Sequence, residues 1–62
     1  MKRYAVEYIR ADGQNITRFV DSKEEGISIA DSLKKEGARQ IKVHEIVTVW
    51  NVIWQYDGEN EE

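Results

Sequence analysis

The residues best suited to chemistry in this chain are His44, Glu45 and Glu7, the one grouping in which an imidazole could exchange a proton with a carboxylate. Spacing works against it. His44 and Glu45 are neighbours in a β-branched stretch, and adjacent strand residues point to opposite faces, so the two cannot act on one substrate. A lone strand histidine among polar neighbours reads as a surface residue. The sequence holds one His and no Cys, which leaves no second soft ligand for a metal. Gly13, Gly26, Gly37 and Gly58 are dispersed, so there is no glycine-rich phosphate cradle. No catalytic residue, cofactor or metal ligand is therefore expected, and the chain is not expected to be an enzyme. Asn15-Ile16-Thr17 fits a glycosylation acceptor but has no secretory signal to support it, and reads as chance.

Binding chemistry is better represented. Trp50-Asn51-Val52-Ile53-Trp54-Gln55-Tyr56 concentrates the aromatic types that dominate protein interfaces. An interface with a partner or a second copy is expected at Trp50, Val52, Trp54 and Tyr56, joined by Tyr4 and Tyr8. The alternative is a small nucleic-acid-binding module that uses an aromatic and basic sheet face. In it Tyr4, Tyr8, Trp50 and Trp54 would stack on bases, and Arg10, Arg18 and Lys42, with Lys2 and Arg3, would meet phosphates. Charge disfavours it. The 9 Lys and Arg stand against 12 Asp and Glu, four of them in the last six residues, so residues 1–56 carry a net charge of only +1. Several phosphates need more than that, and nucleic acid is not the expected partner.

The elements that must position these residues can be read from periodicity. Tyr4–Ile9 and Ile16–Val20 are rich in β-branched and aromatic residues and form two strands, within limits of 2–10 and 14–21. Asp12-Gly13 between them signals a tight hairpin. A two-residue loop sets Ile9 opposite Ile16, Glu7 opposite Arg18 and Val6 opposite Phe19. Tyr4, Val6, Tyr8, Thr17 and Phe19 then share one face, and Ala5, Ile9, Ile16 and Val20 the other. A three-residue loop with a bulge at Gly13 shifts this register by one. Either way both faces keep large apolar residues, and one face needs cover beyond a single helix.

A helix begins after Asp21 or Ser22, either of which can cap it, with Glu24 or Glu25 completing a capping box. Gly26, Ile29, Ala30, Leu33 and Gly37 trace its apolar stripe. Acids come early, Lys34 and Lys35 come late, and Gly37 closes it in a left-handed conformation. Gly26 and Ala30 permit close packing of helix on sheet. Beyond it, Ile41 and Val43 begin a strand whose apolar phase changes to Trp50, Val52, Trp54 and Tyr56, which requires a bulge, bend or turn. Seventeen residues from Gln40 to Tyr56 would extend roughly 56 Å, against a diameter of about 27 Å for a sphere of this chain length. No Gly or Pro lies between Gln40 and Val49 to support a turn. Either the segment folds back near Glu45–Val49 or its distal half leaves the domain; the expectation is an arm that projects and pairs with another chain, with both Trp residues on one of its faces.

The expected fold class is α+β: a β-β-α-β unit with a small antiparallel sheet in order 2-1-3, one helix on one face and a C-terminal strand extension. Residues 1–56 would form one domain and residues 57–62 an acidic flexible tail. At 62 residues without a cysteine, neither a disulfide nor a thiolate metal site can stabilise it, which leaves association with another chain. No apolar run approaches a membrane span, and Glu7 and Arg10 interrupt any signal-peptide core. A cytoplasmic, non-catalytic interaction protein is expected, homodimeric and bound to a further protein, with no membrane partner. Its size suits the accessory and inhibitor proteins of phages and mobile elements.

Overall fold

The computed structural model describes residues 3–58 and places β1 (Tyr4–Ile9) and β2 (Asn15–Val20) side by side in an antiparallel hairpin. Its turn has three residues, Ala11–Gly13. The Arg10 N–H donates to the Gln14 carbonyl at 2.8 Å and the Gly13 N–H to the Arg10 carbonyl at 2.8 Å. Gly13 takes φ 93°, open to glycine because it has no Cβ. This bulged loop sets Val6 opposite Arg18, Ala5 opposite Phe19 and Tyr8 opposite Ile16. The two-residue register is thereby corrected by one position. Ile16 and Val20 join Tyr4, Val6 and Tyr8 on one face, while Phe19 and Thr17 join Ala5, Glu7 and Ile9 on the other.

Helix α1 (Lys23–Lys35) starts where Ser22 accepts the Glu25 N–H on its side-chain oxygen at 3.1 Å. It ends where Ala38 and Gly37 donate their N–H groups to the carbonyls of Leu33 and Lys34, with Gly37 at φ 94°. Gly26 and Ala30 are buried against the sheet. A Cβ on Gly26 would lie 3.1 Å from a Val43 methyl, tighter than ordinary van der Waals contact, so glycine eases the close seating of helix on sheet. Val6, Tyr8, Ala30, Ala38, Ile41 and Val43 form the core between helix and sheet.

The chain then forms β3 (Arg39–Ile46) and β4 (Trp50–Tyr56), paired antiparallel within the same molecule. The sheet order is β2-β1-β3-β4. The α+β class and the order 2-1-3 are as the sequence implies, and the projecting arm is not. The segment folds back through Val47–Val49, closed by the Ile46–Trp50 pair and a 3.2 Å bond from the Val47 N–H to the Val49 carbonyl. Among the described residues, positive φ occurs outside glycine only at Gln40, so this turn is built from negative-φ residues and needs no glycine. Folding back also satisfies the length limit, since the molecule measures 34 × 19 × 19 Å. The phase change is a separate event. Val43 pairs with Trp54 but His44 with Val52, which makes Ile53 the extra residue of a bulge.

Asp57 and Gly58 lie against β3, where the Asp57 carbonyl accepts the Gln40 N–H at 3.3 Å. Glu59–Glu62 of the expected tail, and Lys2, are outside the described residues. Among the described residues no helix is long and apolar enough to cross a membrane.

Candidate interaction surface

Helix α1 covers one face of the sheet and leaves the other open. A rung crosses that open face from edge to edge: Phe19 on β2, Ala5 on β1, His44 on β3 and Val52 on β4. Ala5 is fully buried and His44 is 7% exposed, whereas Phe19, Trp50 and Val52 remain 49%, 47% and 46% exposed. The small Ala5 leaves room for larger neighbours to lean over it. The Phe19 and Trp50 rings, carried by opposite edge strands, meet edge to face at 5.8 Å between centroids. Trp50 also packs on the His44 ring at 5.4 Å. The result is an apolar patch on the sheet, with Glu7, Thr17, Lys42 and Gln55 around it. A buried apolar centre inside a polar rim is the usual composition of a protein interface.

His44 departs from its expected surface position. It is buried beneath Trp50, and its Nε2 lies 3.0 Å from the Glu7 carboxylate. A carboxylate oxygen accepts, so Nε2 is the donor of this bond. Nδ1 is buried without a hydrogen-bond partner. Alternation separates His44 from Glu45, as the sequence implies, but brings Glu7 to the same face. The pair fixes the ring that supports Trp50.

The residues singled out from the sequence divide between two faces. Trp50 and Val52 are on the open face. The bulge at Ile53 turns Trp54 and Tyr56 to the helix side, which corrects the reading that both tryptophans share a face. Trp54 and Tyr56 pack against the core, as does buried Tyr8, and Tyr4 is half-buried on the same side. Lys34 lies 4.9 Å over the Tyr56 ring. The cations of the nucleic-acid alternative are scattered as well. Arg10 pairs with Asp12 at 3.6 Å beside the first turn, Arg18 shares the helix-side face with Val6, and Lys42 lies on the open face. Among the described residues no group of three or more His, Asp and Glu could hold a metal ion.

Sequence reasoning missed Phe19 and Ala5 as parts of this surface. The signal was present in Asp12-Gly13, since a bulged three-residue loop at that pair sets Phe19 opposite Ala5. No protein-family model matches the chain, and neither a curated protein nor a solved structure matches it significantly.

Proposed function

We propose that this chain is a cytoplasmic, non-catalytic interaction protein that binds a partner protein through the helix-free face of its sheet and associates with a second copy of itself. One observation carries the reading: Phe19, Trp50 and Val52 stay about half exposed on a face whose centre, Ala5 and His44, is already buried. Aromatic anchors over a desolvated floor are the arrangement from which interface hot spots are built. Each aromatic ring offers about 150–250 Å². Half of two such rings, roughly 200 Å², contributes about 5 kcal/mol when removed from water at about 25 cal/mol per Å². Separation of Tyr8, Trp54, Arg10 and Arg18 from the open face removes most of the rings and cations that base stacking and phosphate contact would use.

The test compares the wild-type chain with Phe19→Lys and Thr17→Lys as immobilised baits in extract of the native host. Both variants charge the open face from an edge strand, where Lys is well tolerated. Thr17→Lys removes no core contact. The expected result is a protein retained by the wild type, released by both variants, and bound by the purified variants at least 10-fold more weakly. Equal retention and equal Kd for all three would contradict the reading.

A further inference from the structure

The register of the sheet makes its open face complementary to itself. Two rungs cross all four strands there. One runs Phe19, Ala5, His44, Val52, and the next runs Thr17, Glu7, Lys42, Gln55. Each reads in matched halves about a line between β1 and β3. The first has an apolar residue at both ends. The second has an uncharged polar residue at both ends and, between them, an acid beside a base. Glu7 accepts from His44 Nε2, and its side chain is half exposed, so the carboxylate has room for a second donor. Lys42 enters no ion pair among the described residues.

We infer that a second copy occupies this face, its sheet packed on the first about a dyad that runs along the strands midway between β1 and β3, and that this self-association masks the partner site. The inference rests on the reading of the helix-free face given above. Charge selects the occupant. Rotation about that axis lays β2 over β4 of the second copy and β1 over its β3. Phe19 then meets Val52 of the second copy, Thr17 meets its Gln55 and Glu7 meets its Lys42, each contact being made twice. No like charges face one another in these two rungs. Arg3 and Ile9 lie towards the strand ends, where aligned sheets crossed at about 30° diverge.

Other axes fail on the same register. An axis across the strands at the Glu7 rung sets Glu7 on Glu7 and Lys42 on Lys42. One between the two rungs sets Glu7 on Ala5 and Lys42 on His44, both of them buried positions. One at the Ala5 rung sets Lys42 on Ile46 and Gln55 on Trp50. Area decides the kind of dimer. Four strands about 4.8 Å apart and roughly 22 Å long give a face of about 420 Å² in projection, or about 840 Å² for two copies before side-chain relief is added. Stable interfaces bury about 1,600 Å² in total, and those under about 1,200 Å² belong to weak, transient complexes. The dimer is therefore exchangeable, and a partner protein that takes the same face separates the two copies.

Sedimentation equilibrium of the wild type and two double variants tests the register. Thr17 and Gln55 are exposed. They stand on opposite edge strands, three strand spacings or about 14 Å apart, so charges placed on both do not disturb each other within a chain. Thr17→Lys/Gln55→Lys sets like charges face to face twice and should dissociate at least 10-fold more readily than the wild type. Thr17→Lys/Gln55→Glu sets opposite charges there and should associate at least as tightly as the wild type, itself expected to dimerise at tens of micromolar. Net charge alone would favour the doubly basic variant, since two added lysines take the chain from -3 to -1. A monomeric wild type, a doubly basic variant as dimeric as the wild type, or a mixed-charge variant as weak as the doubly basic one would each overturn the proposal. Masking is read by adding the host protein that the wild-type bait retains. A complex with one copy of this chain is expected, and a complex that holds the intact dimer would overturn it. A monomeric wild type that still retains that protein refutes the dimer alone. A dimer that obeys the charge pattern, with no protein retained by any bait, refutes the partner reading and leaves the face to the second copy.

Discussion

Replacing Gly26 by alanine should destabilise the protein, although the same change in an exposed helix would stabilise it. The new Cβ would sit 3.1 Å from Val43 Cγ1, 3.4 Å from Val20 Cγ2 and 3.7 Å from Val6 Cγ2. Carbon atoms prefer about 3.5–4.0 Å, so the first contact is short by roughly half an ångström. Val6 and Val43 are fully buried and Val20 nearly so. Valine side chains are stiff about χ1 and cannot swing clear. Overpacking of this kind costs about 1–3 kcal/mol, against a helix-propensity gain of about 1 kcal/mol for Gly→Ala. The net loss is about 0–2 kcal/mol. At its centre, about 1 kcal/mol, that lowers Tm by about 4–8 °C in a domain of this size. Gly26→Val adds two more methyl groups at the same place and should leave most molecules unfolded, since a core of this size supplies only about 3–5 kcal/mol. Circular-dichroism melts repeated at several protein concentrations separate loss of the fold from loss of the dimer. A Gly26→Ala protein that melts at least about 4 °C above the wild type, as about 1 kcal/mol of propensity alone would give, would refute the close seating of helix on sheet.

The remaining expectations concern the cap, the strained residue of β3 and the two tryptophans. Ser22→Ala removes the acceptor for the Glu25 N–H and should cost about 1 kcal/mol in urea unfolding, whereas Ser22→Asp should retain wild-type stability. Gln40 sits at φ 51° where β1 and β3 slip register. Gln40→Gly should therefore be more stable than Gln40→Val by at least about 1 kcal/mol, and equal stabilities would contradict the left-handed conformation. In single-tryptophan proteins made by Trp50→Phe and Trp54→Phe, acrylamide should quench Trp50 more than Trp54, because Trp50 is exposed on the open face and Trp54 lies against the core.

The helix and the first three strands were legible because their signals are local. A capping serine, a stripe of Gly26, Ala30 and Leu33, and a closing Gly37 each act within a few residues. The hairpin register was legible only as a choice of two, since Asp12-Gly13 suits both a two-residue loop and a bulged one. Folding back of β4 left no such mark. Val47, Thr48 and Val49 turn the chain with negative φ throughout, so the usual punctuation by glycine or asparagine is absent. The bulge at Ile53 was visible as a break in phase, but its cause is tertiary: Trp54 and Tyr56 are drawn to the helix side while Trp50 and Val52 stay with His44. Burial of His44 was hidden for the same reason, since its cover comes from a ring on β4 and its partner, Glu7, from β1.

Binding by the helix-free face is tested most directly by mapping methyl and indole resonances of the isotope-labelled chain during titration with the purified protein that the wild-type bait retains. The prediction is that Thr17, Val52 and the Trp50 indole shift or broaden on binding, while the helix methyls of Ile29 and Leu33 stay in place. Perturbation of Ile29 and Leu33 with Trp50, Thr17 and Val52 unchanged would put the binding site on the helical side and contradict the assignment of function to the open face.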